Sequence, residues 1–84
     1  MADILYFARL AESLGVKSET IDLSAECNTV ADLVGLLRTR GEPFASEFNG
    51  DTRILVAINQ EMSEPIAEIS NTDEIAFFPP VTGG

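Results

Sequence analysis

Glu74-Ile75-Ala76-Phe77-Phe78-Pro79-Pro80-Val81-Thr82-Gly83-Gly84 is the stretch on which the reading of this 84-residue chain turns. Glu74 to Phe78 predicts a strand, with Ile75 and Phe77 on one face and Ala76 and Phe78 on the other. Pro79 and Pro80 hold φ near about −65° and lack an amide hydrogen, so the ladder must end there. They launch the remaining residues in an extended, polyproline-like direction. Val81 to Gly84 reaches about 13–14 Å when fully extended. Gly83 and Gly84 have no Cβ and can enter a slot too narrow for other residues. The one reactive group at the tip is the carboxylate of Gly84. The expected division is a folded domain over 1–78 and a flexible tail over 79–84.

Upstream, Ile4-Leu5-Tyr6-Phe7-Ala8 is an apolar run between Asp3 and Arg9. It predicts a strand buried on both faces, hence central in a sheet. Leu10 to Gly15 reads as a loop or short turn, with Gly15 as punctuation. Ser18 to Leu23 alternates polar and apolar residues, as in a half-buried strand hairpin-paired with the first. Thr29-Val30-Ala31-Asp32 resembles a capping box with Asp in place of Glu. Val30, Leu33, Val34 and Leu37 come next at helical spacing. Arg38 and Arg40 fall in the expected last turn, Gly41 supplies the stop, and Pro43 prevents resumption. Gly35 inside this helix suggests a close approach to the sheet. Phe44 to Asn49 predicts one irregular helical turn. Ile54 to Ile58 is another strand, Asn59-Gln60 a turn, and Glu61 to Ser63 a short return strand. Asn71-Thr72-Asp73 turns the chain into the last strand. The predicted order is β-β-α-β-β-β, an α+β domain with one main helix over a mixed sheet.

Fourteen acidic residues stand against five basic ones, a formal charge of −9. Such a surface repels nucleic acid and anionic lipid. It suits partners with basic docking surfaces, although solubility alone accounts for it equally well. No apolar run approaches the length of about 18 residues that spans a membrane, and no basic-then-apolar leader opens the chain. A single cysteine cannot form an internal disulfide, which fits a reducing, cytoplasmic setting. There is no histidine, so Ser-His and Cys-His pairs and His-ligated metals are excluded. Glu61, Glu64, Glu68 and Glu74 lack the spacing of a calcium loop and read as solvated acids, so no metal site is expected. Cys27 lies just before a helix N-terminus, where a thiol can be activated as a sulfur relay. Without a neighbouring base it reads instead as a small buried hydrophobe.

The ending Asp73 to Gly84 resembles that of the small, sulfur-carrying subunit of molybdopterin synthase, among the ubiquitin-like sulfur carriers. Phe7-Ala8 followed by Glu12 and Gly15 resembles the family's first strand and turn. The capped helix after Thr29 lies where the family's helix lies. Val56-Ala57-Ile58-Asn59-Gln60 is similar to its Val-Asn-Gln turn. The resemblance spans nearly the whole chain and implies a ubiquitin-like β-grasp fold.

It also implies a chemistry. An E1-like adenylyltransferase would adenylate the Gly84 carboxylate with ATP, and a sulfur donor system would convert it to a thiocarboxylate. The carrier would then dock on the synthase large subunit. There its sulfur would pass to a cyclic pyranopterin precursor to build the molybdopterin dithiolene. In that scheme Gly84 carries the reaction, and Gly83, Thr82, Val81, Pro80 and Pro79 thread the tail. The chain binds no cofactor of its own and is a sulfur-donating subunit of a transferase, not a catalyst alone. Phe78, on the face opposite Phe77, would anchor the partner beside the tail root. Phe7 and Met62 match apolar family positions near the partner surface, with core packing the competing role for each. The family often has arginine where this chain has Ala11; the nearby cation is Arg9, which could replace it only if the turn shifts. Other readings are a carrier for thiamine or a tungsten cofactor, a ubiquitin-like modifier of lysines, and a plain interaction module.

Overall fold

The computed structural model describes residues 1–23, 27–49 and 54–79. The elements run β1 (Ala2–Tyr6), α1 (Ala8–Leu14), β2 (Ser18–Ile21), α2 (Val30–Arg38), α3 (Phe44–Glu47), β3 (Leu55–Ile58), β4 (Glu61–Ser63) and β5 (Glu74–Phe78). The five strands form one sheet in the order β2-β1-β5-β3-β4. β1 and β5 run parallel, and every other neighbouring pair is antiparallel. The core joins α2, through Val30, Leu33 and Leu37, to Ile4, Tyr6, Val56, Ile75 and Phe77 of the sheet. The α+β class and the mixed sheet under one main helix are therefore as expected. Among the described residues no helix is long and apolar enough to cross a membrane.

α2 is built as its sequence dictates. Thr29 Oγ1 accepts from the Asp32 amide at 3.2 Å, and Asp32 Oδ2 accepts from the amides of Thr29 at 3.1 Å and Asn28 at 3.0 Å. Those amides hold the Asp32 carboxyl below the usual carboxylate range. The remaining first-turn donors are also used: the Val30 amide donates to Ala67 O and the Ala31 amide to Pro65 O. Gly35 departs from its expected role. A Cβ built on it would meet nothing within 4 Å, so no close approach to the sheet requires glycine there. Gly35→Ala is therefore expected to stabilise the domain by up to about 1 kcal/mol through helix propensity alone. Thermal unfolding of the variant checks this as a rise in Tm.

Two expectations at the N-terminal end need correction. Leu10 to Gly15 is not a loop: Ala8–Leu14 is helical, with Leu10 and Leu14 buried one turn apart. Gly15 takes φ 75° and closes the helix, its amide donating to Ala11 O at 2.9 Å. With α3, this makes the order β-α-β-α-α-β-β-β. Nor is β1 buried on both faces: Ala2, Ile4 and Tyr6 point into the core, while Asp3 is exposed and Leu5 half-buried. The helices cover only one side of the sheet. The central strand is β5, flanked on both sides, where Ile75, Ala76 and Phe77 are buried in succession. Arg40 likewise lies beyond α2, which ends at Arg38.

The β3–β4 hairpin turns at Asn59 and Gln60, both at positive φ (51° and 71°), as a two-residue hairpin turn with right-handed strand twist demands. Asn59 does a second job. Its amide donates to Glu74 O at 2.8 Å, its Oδ1 accepts from the Glu74 amide at 3.0 Å, and its Nδ2 donates to Asp73 Oδ1 at 2.9 Å. One side chain thus fastens the hairpin to the first residue of β5.

Candidate functional site

The site is the end of β5, where the chain leaves the sheet. Pro80, Val81, Thr82, Gly83 and Gly84 lie outside the described residues; Phe78 and Pro79 are the last that the geometry reaches, and both are half-buried. The ladder carries β1 one residue further than its strand: the Phe7 amide donates to Phe77 O at 3.1 Å. Ala8 then turns the chain away at φ 52°, a left-handed conformation uncommon for a residue with a Cβ.

Two aromatic layers result, one on each face of the sheet. On the uncovered face, Phe7 stacks on Phe78 with ring centroids 4.8 Å apart and planes within 9°. Phe7 is 41% exposed and Met62 65%. With Leu5, Ala57 and Ala76 they line a shallow apolar depression edged by Gln60 and Glu74. So Phe7 and Met62 are surface residues, and the core role weighed for each is not the one they play. On the covered face, Phe77 is buried against Tyr6 (6.1 Å, stacked) and Phe48 (5.1 Å, edge-on). The expected split, Phe77 inward and Phe78 outward, is what the strand shows.

Beneath the inner layer lies a polar clasp that sequence reasoning missed. The Tyr6 hydroxyl donates to Glu19 Oε2 at 2.8 Å. Arg40 grips the same carboxylate with both terminal nitrogens, at 2.9 and 2.8 Å. The guanidinium also sits 4.9 Å from the centre of the Phe44 ring. Burial, then the Glu19 carboxylate, pushes the Tyr6 phenol far up, so it remains a donor. Arg40 holds the Glu19 carboxyl below its ordinary range against the opposing effect of burial, with help from Tyr6. A carboxylate depressed in the folded state stabilises the fold above its unfolded value, about pH 4.3, and that contribution is lost as pH falls through the folded value. Glu19→Gln is thus expected to lower Tm at neutral pH and to flatten the loss of Tm on acidification. Scanning calorimetry from about pH 7 to about pH 3 checks both.

Arg9 is exposed on α1, while Ala11 is half-buried and packs on the core. The two lie about 200° apart around the helix, so a contact from Arg9 would approach from a different side than one from position 11. Cys27 is buried and unpaired. Burial, then the Asp32 charge, pushes its thiol up, the opposite of activation. Among the described residues no three acidic, cysteine or histidine side chains converge as a metal site. The described site is largely apolar, with Glu74 the one charged residue on its edge, and it surrounds the point where the chain leaves the sheet.

Comparison with known proteins agrees with this geometry. The chain is 38% identical to the molybdopterin synthase sulfur carrier subunit of Haemophilus influenzae over the full length of both. It is 32% identical to the protein of that name from Escherichia coli, again over all of both chains. Among solved structures, SAMP1 (small archaeal modifier protein 1) of Haloferax volcanii superposes with a TM-score of 0.75 at 30% identity, over 99% of this chain and 98% of that one. The sequence model of the ThiS family matches residues 4–84. The chain, from the first strand through the terminal glycines, belongs to the ThiS family.

Proposed function

We propose that this chain is the sulfur-carrier subunit of a molybdopterin synthase. The observation that carries the reading is the full-length similarity to a sulfur carrier subunit of that enzyme. An E1-like partner transfers AMP from ATP to the Gly84 carboxylate, which makes a poor acyl donor reactive. A sulfur donor displaces AMP and leaves a thiocarboxylate. That group keeps an anionic sulfur nucleophile without a side-chain base, consistent with a chain that has no histidine. The loaded carrier docks on the synthase large subunit, and its sulfur passes to a cyclic pyranopterin precursor.

The described residues supply the handle. The Phe7–Phe78 stack and Met62 form an apolar docking face, and the surrounding acids favour a basic partner. Pro79 and Pro80 aim the tail away from the domain, Val81 and Thr82 add uncharged length, and Gly83 and Gly84 leave the acyl carbon open to attack. Oxyanion and proton-transfer groups come from the partners. Intact-mass spectrometry tests the scheme. With activating enzyme, ATP and sulfur donor, the chain is expected to exchange one oxygen for sulfur, localised to Gly84. Sulfur found on Cys27 would overturn it.

The similarity to SAMP1 favours a second reading, a modifier joined to lysines of other proteins. Denaturing gels of cell extract separate the two: a ladder of covalent adducts favours the modifier, and a single free band the carrier.

A further inference from the structure

The chain's own nucleophiles are few and unequally placed. Lys17 is the only lysine in the sequence, and the one thiol is buried. Lys17 is exposed in the turn between α1 and β2 and lines an open groove beside Phe7, Ala8 and Glu12. Its carbonyl accepts from the Tyr6 amide at 2.8 Å, and Tyr6 is in register with Phe77. Lys17, just before β2, therefore continues the row that Tyr6 and Phe77 make across β1 and β5. Two strand spacings put the Lys17 backbone about 10 Å from that of Phe77. The residues from Phe77 to Gly84 reach about 23 Å. The other amine, on Met1, belongs to the opposite end of β1, where Ala2 pairs with Ile21. It lies about 17 Å further along the sheet, so only a nearly straight tail would reach it.

We infer that Lys17 is the site at which this chain captures its own activated C-terminus, as an intramolecular Lys17–Gly84 isopeptide, when no sulfur nucleophile arrives. The inference rests on the adenylated Gly84 of the proposed function. The neutral Nζ attacks the acyl carbon, the carbon–oxygen bond to phosphate breaks, AMP leaves, and the Nζ proton goes to solvent; nothing is oxidised or reduced. Joining the two groups through a short stretch of the same chain sets an effective concentration on the order of millimolar. Capture in cis therefore outruns joining of two chains by about a hundredfold when the protein is at about 10 µM. The product is a closed loop whose terminus can no longer be loaded or threaded. Lys17 thus competes directly with the sulfur donor for the activated carrier.

The test uses the full chain with the activating enzyme and ATP, without sulfur donor. Pyrophosphate release is expected, together with a monomer lighter by one water whose fragments join Lys17 to Gly84. Lys17→Arg is expected to cut that species at least about tenfold, and a sulfur donor to suppress it in the unaltered chain. Pyrophosphate release with the same dehydrated monomer in K17R, with a link to Met1 instead, or with chain dimers alone would overturn the inference. No pyrophosphate would count against activation of Gly84 itself. A chain prepared with a Gly84 thioester then decides capture separately. Thiol release with a Lys17–Gly84 link lost in K17R supports the site, and a stable or merely hydrolysed thioester overturns it.

Discussion

A chain lacking Gly83 and Gly84 is expected to lose sulfur transfer by at least about 10²-fold while keeping the melting temperature of the intact protein. The first half comes from reach. Two residues shorten the tail by about 7 Å, and misplacement of a reacting group by about 1 Å can already cost about 10²-fold. The shortened chain would also present Thr82, whose β-branched side chain crowds the acyl carbon. The second half comes from the fold. Among the described residues every core residue lies at or before Phe77, so none of those core contacts is removed. Single-turnover transfer assays beside thermal unfolding check both halves. Retained transfer would make the domain a plain interaction module. A large fall in Tm would mean that the tail packs on the domain.

Phe77→Ala is expected to destabilise the domain by about 3–5 kcal/mol, the range for truncating a buried aromatic. That is a large share of the stability of a small domain. The ring fills the middle of the core and is in contact with Tyr6 and Phe48. Its loss empties the layer directly beneath the tail root. Phe78→Ala makes the contrast. Its ring lies on the uncovered face, so Tm should fall by much less, while docking on the large subunit should weaken by about 2 kcal/mol. Urea denaturation and binding titrations of the two variants separate the roles of these neighbours. Equal loss of stability in both would contradict the division of the faces.

How much of the fold and the site was legible in the sequence depends on how local each cause is. The α2 cap was readable because Thr29 and Asp32 are three residues apart and satisfy each other's backbone. The facing of Phe77 and Phe78 was readable because a strand has a period of two. α1 was not, because seven residues with two buried leucines give too short a pattern to outweigh a glycine. The double burial expected for β1 failed because an apolar run does not say whether a second layer covers the sheet. The clasp was invisible for a different reason. Tyr6, Glu19 and Arg40 meet only once β1 and β2 are in register and α2 has ended. The glycine tip was legible as a motif, but it lies outside the described residues, so the geometry adds nothing to that reading.

The place of β5 sets an order of events. It is the middle strand, paired on one side with β1 from the start of the chain and on the other with β3. Asp3 must find Glu74 before the sheet closes, and such distant parallel pairing is slow to form. While the chain is being made, the early strands have no centre to join until residue 78 is available. A protein that recognises the Phe7–Phe78 stack thereby recognises completion, since the stack needs both ends of the chain in place. If the stack is the docking face proposed above, only a folded chain presents it.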